Sequence, residues 1–204
     1  MIIVKNISKS FKERVIIDNF SLIIHDGDFL GIIGSSGSGK TTLINLLSLL
    51  EESDDGEITI NNIVDPTSKE RMLLRRNVLG NIFQNYALME NCTIKENLKI
   101  AIRYQKKKNY DFKEVLKRVG LEHIDLNTKI YELSGGEQQR IALARVILQD
   151  SQYIFADEPT GNLDEENTEK VFNILKELNQ EGKTIILVTH DKGLAERCKR
   201  IIHL

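Results

Sequence analysis

The sequence predicts an α/β fold in which a mainly parallel sheet is covered by helices on both faces. Three observations lead to this fold class. A glycine-rich loop joins the apolar, strand-like run 29–33 to the helix-like run 42–47. Residues 31–53 and 146–204 alternate apolar strands with helices, which is the pattern of a parallel sheet. A further short strand, 153–156, ends in two carboxylates.

The N-terminal part predicts antiparallel strands instead. Strand-like runs occupy residues 2–4, 15–17 and 20–24, and Asp26-Gly27 supplies a turn. A second turn signal at 54–56 predicts a hairpin that leads into a strand-like run up to Ile60. This part is therefore predicted to form an antiparallel β subdomain beside the main sheet.

The stretch from about 85 to 145 is helix-like, with periodic apolar residues and Gly120 as a predicted C-cap. The chain therefore leaves the sheet, builds a helical excursion and returns. We predict a single domain, 1–204, with an α/β core at about 1–84 and 146–204 and a helical subdomain at about 85–145.

Composition excludes some classes of protein. The formal net charge of −2 gives no electrostatic reason to expect a nucleic acid partner. No apolar run approaches the roughly 20 residues that span a bilayer, and no signal peptide is recognisable, so we expect a soluble chain. The cysteines, Cys92 and Cys198, lack metal-ligand spacing and are interpreted as packing residues in a reducing cytosol. The run Lys106–Lys108 is interpreted as a solvated helix end.

The glycine-rich loop fits the pattern G-x-x-x-x-G-K-[ST] at every fixed position. Its residues are Gly34, Ser35, Ser36, Gly37, Ser38, Gly39, Lys40 and Thr41, and Thr42 follows. The glycines let backbone N–H groups point inward, and the helix N-terminus adds its positive dipole end. Lys40 is then predicted to reach the β- and γ-phosphates of a nucleotide, and the Thr41 hydroxyl to bind Mg²⁺. A Gly/Ser-rich connector that binds nothing rarely combines this pattern with a preceding strand and a following helix.

The strand that ends at Asp157 and Glu158 is predicted to carry the second half of this site. An acidic residue at the end of such a strand can hold Mg²⁺, so Asp157 is the predicted metal ligand. Glu158 points elsewhere because strand side chains alternate, and a carboxylate beside a phosphate and a water molecule is a candidate general base.

With these motifs the chain resembles the ATP-binding subunits of ATP-binding-cassette (ABC) transporters over nearly all of its length. The matching residues are Ser134-Gly135-Gly136-Glu137-Gln138 for the signature, Gln84 for the Q-loop, Gly161-Asn162-Leu163-Asp164 for the D-loop, His190 for the switch histidine, and Phe11 for the aromatic against adenine.

The resemblance implies a P-loop ABC ATPase fold with ATP and Mg²⁺ as ligands. It assigns catalytic roles to Glu158, His190 and Gln84, and metal binding to Thr41, Gln84 and Asp157. Nucleotide binding falls to Phe11, the glycine-rich loop with Thr42, the signature residues Ser134, Gly135, Gly136 and Glu137, and Asp164. Phe11 could instead be a core aromatic, and Gln84 and His190 solvated or strand-end polar residues.

The signature also implies an assembly. In this family two subunits pack head to tail, so each signature closes over the partner's phosphate loop as an isologous dimer. Ser134, as the N-cap of a helix ahead of Glu137, would present an anion site there. The implied location is the cytoplasmic face of a bacterial membrane, with a permease bound near residues 85–97. Apolar residues in that segment are either core or the wall of a docking groove, and we favour the groove; they are Tyr86, Leu88, Met89 and Ile94.

The run Asp157–Asp164 resembles the branch that serves lipoprotein release, macrolide export, antimicrobial-peptide export and cell division. Residues 84–89 and Glu137 look closest to small bacteriocin-export ATPases. The predicted function is ATP hydrolysis that powers export or release through a separate permease, and the alternative is a non-transport ATPase that signals through a permease-like partner. Relatives usually continue beyond the strand at 201–204 into a hairpin and a last helix, so neither C-terminal regulation nor C-terminal dimer support is expected here.

Overall fold

The computed structural model describes residues 1–105 and 110–204, so the run Lys106–Lys108 lies outside the described residues. The strands are β1 Ile2–Phe11, β2 Arg14–Ile24, β3 Phe29–Ile33, β4 Asp55–Ile60, β5 Ile63–Val64, β6 Leu79–Ile82, β7 Tyr153–Asp157, β8 Thr184–Val188 and β9 Arg200–His203. The helices are α1 Lys40–Leu47, α2 Ser68–Asn77, α3 Ile94–Ile102, α4 Phe112–Arg118, α5 Gly135–Gln149, α6 Glu165–Gln180 and α7 Lys192–Glu196, with a 3₁₀ turn at Ile130–Glu132.

The main sheet has the order β6-β7-β8-β3-β9, and every neighbouring pair is parallel. The strands β3, β7 and β8 are mostly apolar and buried, as strands covered on both faces of a parallel sheet require. Val188 of β8 is in register with both Ile32 of β3 and Asp157 of β7, so the carboxyl ends of these three strands meet at one edge. The predicted parallel α/β fold is confirmed.

A second, antiparallel sheet has the order β2-β1-β4-β5. The predicted hairpin at 54–56 is wrong, because Asp55 and Gly56 already belong to β4. Gly56 takes a φ of +84° where the pairing of β1 with β4 shifts register, and a Cβ there would lie 2.5 Å from the backbone of Asn6. The tight turn comes later, at Asn61 and Asn62, which both have positive φ.

Two buried apolar clusters hold these layers together. One contains residues of α3, α4, α5 and α6 together with one face of the parallel sheet, including a stacked pair of rings, Phe29 and Phe172, at 5.5 Å. The other joins α1 and the antiparallel sheet to the opposite face. Burial on both faces accounts for the continuous apolar strands.

The helical excursion is stabilised by its caps. Thr93 and Glu96 form a reciprocal capping box at α3. Gly120 takes a φ of +68° after α4, where the sequence predicted a C-cap. Of the helices in the described residues, none is long and apolar enough to cross a membrane. The division into an α/β core and a helical subdomain stays a prediction.

Candidate nucleotide-binding site

The glycine-rich loop runs from the end of β3 to the first residue of α1. Lys40 is buried at the start of the helix, and its Nζ donates hydrogen bonds to the carbonyl oxygens of Gly34 and Ser35, both at 2.9 Å. The Ser38 hydroxyl is buried and has no hydrogen-bond partner. The loop therefore surrounds the Lys40 ammonium group and leaves the Ser38 hydroxyl without a partner, which fits a binding site for phosphate oxygens.

Gly39 is required by geometry. Its φ is +99°, and a Cβ at this position would lie 2.9 Å from the Ile16 side chain of β2. Only glycine allows the loop to turn into α1 while β2 lies this close.

Asp157 ends β7 beside the loop. Burial raises the pKa of its carboxyl, and the charge of Glu158 adds to this, while the Thr41 hydroxyl and Lys40 lower the pKa. Its Oδ1 atom is buried without a hydrogen-bond partner. A half-buried carboxylate next to a threonine hydroxyl, with an oxygen left unpaired, is a donor set that suits Mg²⁺.

Glu158 faces away from Asp157 and towards His190. The Oε2 atom of Glu158 lies 2.8 Å from Nδ1 of His190, which follows β8. Glu158 has a φ of +45°, and its N–H donates to the carbonyl of Val188. This left-handed backbone is unusual for a glutamate and is the kind of local strain that occurs at functional sites.

Gln84 lies just after β6 and is exposed. Its amide nitrogen lies 3.7 Å from the position that a Cβ of Gly161 would occupy, so it stands beside the segment that follows Glu158. Tyr86 and Ala87 both have positive φ, and Arg145 of α5 donates a hydrogen bond to the Ala87 carbonyl. The helical part thus holds the loop that carries Gln84.

Phe11 is not a core residue, since 46% of it is exposed. It lines a cavity of about 250 Å³ with Lys40, Thr41 and Thr42, an open space beside the glycine-rich loop. Arg14 lines the same cavity and was missed from the sequence; its guanidinium lies 3.5 Å from the Gly37 carbonyl. The sequence holds no signal for Arg14, because its position depends on how the β1–β2 hairpin folds over the loop.

The signature residues form the start of α5. The Ser134 hydroxyl and N–H donate to the Glu137 carboxylate, and the Glu137 N–H donates to the Ser134 hydroxyl. These bonds lower the pKa of Glu137. Gly136 lies against Asn167, where a Cβ would be 2.5 Å from the amide.

Asn167 connects the signature helix to Asp164. Its amide nitrogen donates to the Asp164 carboxylate at 2.9 Å, and its oxygen accepts from Arg140. The lining of the Phe11 cavity includes neither Ser134 nor Asp164. Within this chain the loop gathers Thr41, Asp157 and Phe11, and the signature and D-loop residues form a second group.

Comparison with known proteins decides the family. A family model described as "ABC transporter" matches residues 17–161, more than half of the chain. The chain belongs to the ABC transporter family.

Three relatives illustrate the similarity. The chain is 40% identical to the lipoprotein-releasing system ATP-binding protein LolD of Aquifex aeolicus, covering 98% of this chain and 92% of LolD. It is 40% identical to the macrolide export ATP-binding/permease protein MacB of Campylobacter jejuni, but spans only 33% of that protein. A dimeric structure of the ATP-binding cassette MJ0796, in a post-hydrolysis state bound to ADP and Pi, superposes with a TM-score of 0.91 at 37% identity, covering 100% of this chain and 94% of that one.

Membership of the ABC family confirms the predicted fold, the ligands ATP and Mg²⁺, and the predicted ATPase activity. The family model ends at residue 161, so it does not reach Asp164 or His190. The roles of individual site residues therefore remain predictions.

Proposed function

We propose that this chain hydrolyses ATP between the glycine-rich loop and the carboxyl end of β7, and that hydrolysis powers a separate membrane permease. The observation that carries the proposal is the unpaired, buried oxygen of Asp157, which lies beside Thr41 and Lys40. An ionised carboxylate is costly in such a place unless a cation binds there.

The binding roles follow from the chemistry of the side chains. Lys40 and the loop N–H groups hold the β- and γ-phosphates, and Phe11 and Thr42 border the space beside them. Thr41, Asp157 and Gln84 supply oxygen ligands for Mg²⁺, which neutralises phosphate charge when it is bound.

Glu158 is the proposed general base. It accepts a proton from the attacking water, and His190 fixes the orientation of its carboxylate through the 2.8 Å contact. The left-handed backbone of Glu158 separates its side chain from that of Asp157. One carboxylate is therefore free to bind metal while the other takes up the proton.

A second subunit completes the site. Ser134 is exposed at the N-terminus of α5, where unpaired N–H groups and the helix dipole favour an anion. In the proposed homodimer Ser134, Gly135, Gly136 and Glu137 of each subunit close on the other's nucleotide, and Asp164 lies beside them. ATP then joins the two subunits, and its hydrolysis releases them.

The proposed cargo is a peptide, a lipoprotein or an antimicrobial compound, since relatives include a lipoprotein-releasing and a macrolide-export protein. Within this range we favour bacteriocin export. The subunit works at the cytoplasmic face of a bacterial membrane, and the permease binds near residues 85–97. In that segment Met89 is exposed and Leu88 half-buried, whereas Ile94 is fully buried and packs in the core.

Phosphate release by the purified chain tests the ATPase, with Lys40→Ala as the inactive control. We expect Mg²⁺-dependent turnover that the control lacks, and equal rates in both proteins would contradict the site. Reconstitution with the permease in proteoliposomes separates transport from signalling, because only a transporter is stimulated by its cargo.

A further inference from the structure

Asn167, in the first turn of α6, connects two parts of the chain that lie far apart in sequence. Its backbone N–H donates to Oδ1 of Asp164 at 2.7 Å, and its side-chain nitrogen donates to both carboxylate oxygens, at 2.9 and 3.0 Å. Its side-chain oxygen accepts a hydrogen bond from the Arg140 guanidinium in α5. One amide therefore joins the Asp164 carboxylate, at the start of α6, to the helix that begins at the signature.

The chemistry of the two partners fixes the orientation of this amide. Arginine offers only donors and an ionised carboxylate only acceptors, so the oxygen of Asn167 faces Arg140 and its nitrogen faces Asp164. The hydrogen bonds from the backbone and the side chain of Asn167 lower the pKa of Asp164, which keeps its carboxylate ionised. Arg140 is buried, and its Nε already has no partner. Loss of the Asn167 oxygen would leave a further donor of this guanidinium unpaired, which is costly.

Gly136 lies one turn before Arg140 and packs directly on the Asn167 amide. It is buried, and its φ is not in the left-handed region, so its backbone conformation does not require glycine. A Cβ at this position would lie 2.5 Å from both Cγ and Oδ1 of Asn167 and 2.9 Å from its side-chain nitrogen. A side chain at position 136 would therefore push the amide away from Asp164 and Arg140.

We propose that Asn167 is a positioning residue that holds Asp164 and the start of α5 together as one unit, and that Gly136 makes room for its amide. This unit acts on the nucleotide of the other subunit, so the inference rests on the proposed function. The lining of the cavity beside the glycine-rich loop does not include Asn167, which acts through its neighbours instead.

Asn167→Asp tests this role with little change in shape. The introduced carboxylate still accepts from Arg140, but it cannot donate to Asp164 and places a second negative charge beside it. Lys170→Gln is the matched control, because it changes the charge by the same amount at an exposed position one turn further along α6. We expect Asn167→Asp to lower kcat about tenfold, on the scale of one lost charged hydrogen bond, and Lys170→Gln to stay within about twofold.

Nucleotide binding by the separate subunit distinguishes positioning from a general structural defect. Asn167 lies outside the cavity beside its own glycine-rich loop, so the monomer with Asn167→Asp should bind the fluorescent analogue TNP-ATP with the unmodified affinity. Weaker binding of this probe by Asn167→Asp than by Lys170→Gln would overturn the proposal.

Mixed dimers show which of the two sites the defect affects. In a dimer of Asn167→Asp with Lys40→Ala, both changes should fall in one site and leave the other intact. Equal mixing should then raise turnover to about a quarter of the unmodified rate, if the sites act independently. A rate below that of Asn167→Asp alone would place the defect in the subunit's own site and overturn the proposal. If Lys40→Ala and Ser134→Arg also fail to complement each other, the shared site of the proposed function fails as well.

Alanine at Gly136 gives an independent test that does not need Asn167→Asp to fold. If Gly136→Ala acts by displacing the Asn167 amide, the same damage is already present in Asn167→Ala. Each change alone should lower kcat about tenfold, and the two together should also lower it about tenfold rather than about a hundredfold. Effects that multiply would show that the two residues act separately, which would overturn the proposal.

Discussion

The carboxylate of Glu158 lies 2.8 Å from the imidazole of His190, while the carboxylate next to it in sequence, Asp157, faces Thr41. Two carboxylates that are adjacent in sequence at the end of β7 therefore lie in two different environments. The positive φ of Glu158 produces this divergence. It brings one carboxylate to the histidine that follows the neighbouring strand β8 and leaves the other for a cation.

Replacing Glu158 with glutamine should separate binding from chemistry. We expect Glu158→Gln to bind ATP as the unmodified chain does and to lower the single-turnover rate of hydrolysis by about 10²-fold or more, because general-base catalysis contributes on that scale. The matched control is Glu165→Gln, an exposed change at the start of α6. A near-normal rate in Glu158→Gln would remove this residue from the mechanism.

Replacing Asp157 with asparagine should stabilise the nucleotide-free chain. Burial raises the pKa of Asp157, so the folded state favours its protonated form. The free energy of unfolding therefore falls as pH rises from the pKa of Asp157 in the unfolded chain to its higher pKa in the folded chain. Above both values the ionised carboxylate continues to destabilise the folded state. At neutral pH we expect Asp157→Asn to melt at a higher temperature without nucleotide and to gain less from Mg-ATP. A lower melting temperature without nucleotide would contradict the unpaired carboxylate.

Ser134→Ala should remove the cap of α5 and with it ATP-dependent dimerisation. Loss of an N-cap costs about 1 kcal/mol. Thr93→Ala is the matched control, because Thr93 and Glu96 form the same box at α3. Both variants should melt at lower temperature, but only Ser134→Ala should fail to dimerise in light scattering when hydrolysis is blocked by Glu158→Gln. Loss of dimers in both variants would make the role of Ser134 purely structural.

The hydrogen bonds between Ser134 and Glu137 at the start of α5 also predict how stability depends on pH. The Ser134 hydroxyl lowers the pKa of Glu137, so this contribution to stability is present above the unfolded pKa and is lost as pH falls through the folded one. Thermal melting between neutral and acidic pH should therefore show a smaller loss in Ser134→Ala than in the unmodified chain. Parallel curves for the two proteins would contradict the linkage.

Local patterns predicted the elements that carry the chemistry. The loop 34–41, the strand before Asp157 and the turn at Gly120 each follow from residues close together in sequence. The structure added features that depend on distant contacts. The local sequence predicts a turn at Gly56, but Gly56 is a strand residue that packs against the backbone of Asn6. Arg14 lies beside the glycine-rich loop only because the β1–β2 hairpin folds over that loop.

Two missed features had local signals. Helix α2 begins with a capping box between Thr67 and Glu70, and the turn at Asn61-Asn62 uses residues that tolerate positive φ.

A charge at Met89 should weaken binding to the permease. Met89 is 44% exposed, and the side-chain amide of Asn97 holds both its N–H and its carbonyl, so its backbone position is fixed. We expect Met89→Glu to fold normally and to lose co-purification with the co-expressed permease. Val64→Glu, an exposed apolar position on β5, is the control and should co-purify. Retention of the permease by Met89→Glu would place the docking surface elsewhere.

The central claim is that each nucleotide site is shared by two subunits, and mixing two inactive variants tests it most directly. Lys40→Ala removes the phosphate-binding cation, and Ser134→Arg blocks the signature; each alone should be inactive. In a mixed dimer the loop with Lys40→Ala faces the signature with Ser134→Arg, so both defects fall in one site. The other site combines a normal loop with a normal signature and stays intact. Equal mixing should therefore restore ATP turnover to about a quarter of the unmodified rate, if the two sites act independently. Turnover no higher than that of the separate variants, with mixed dimers present, would contradict a shared site.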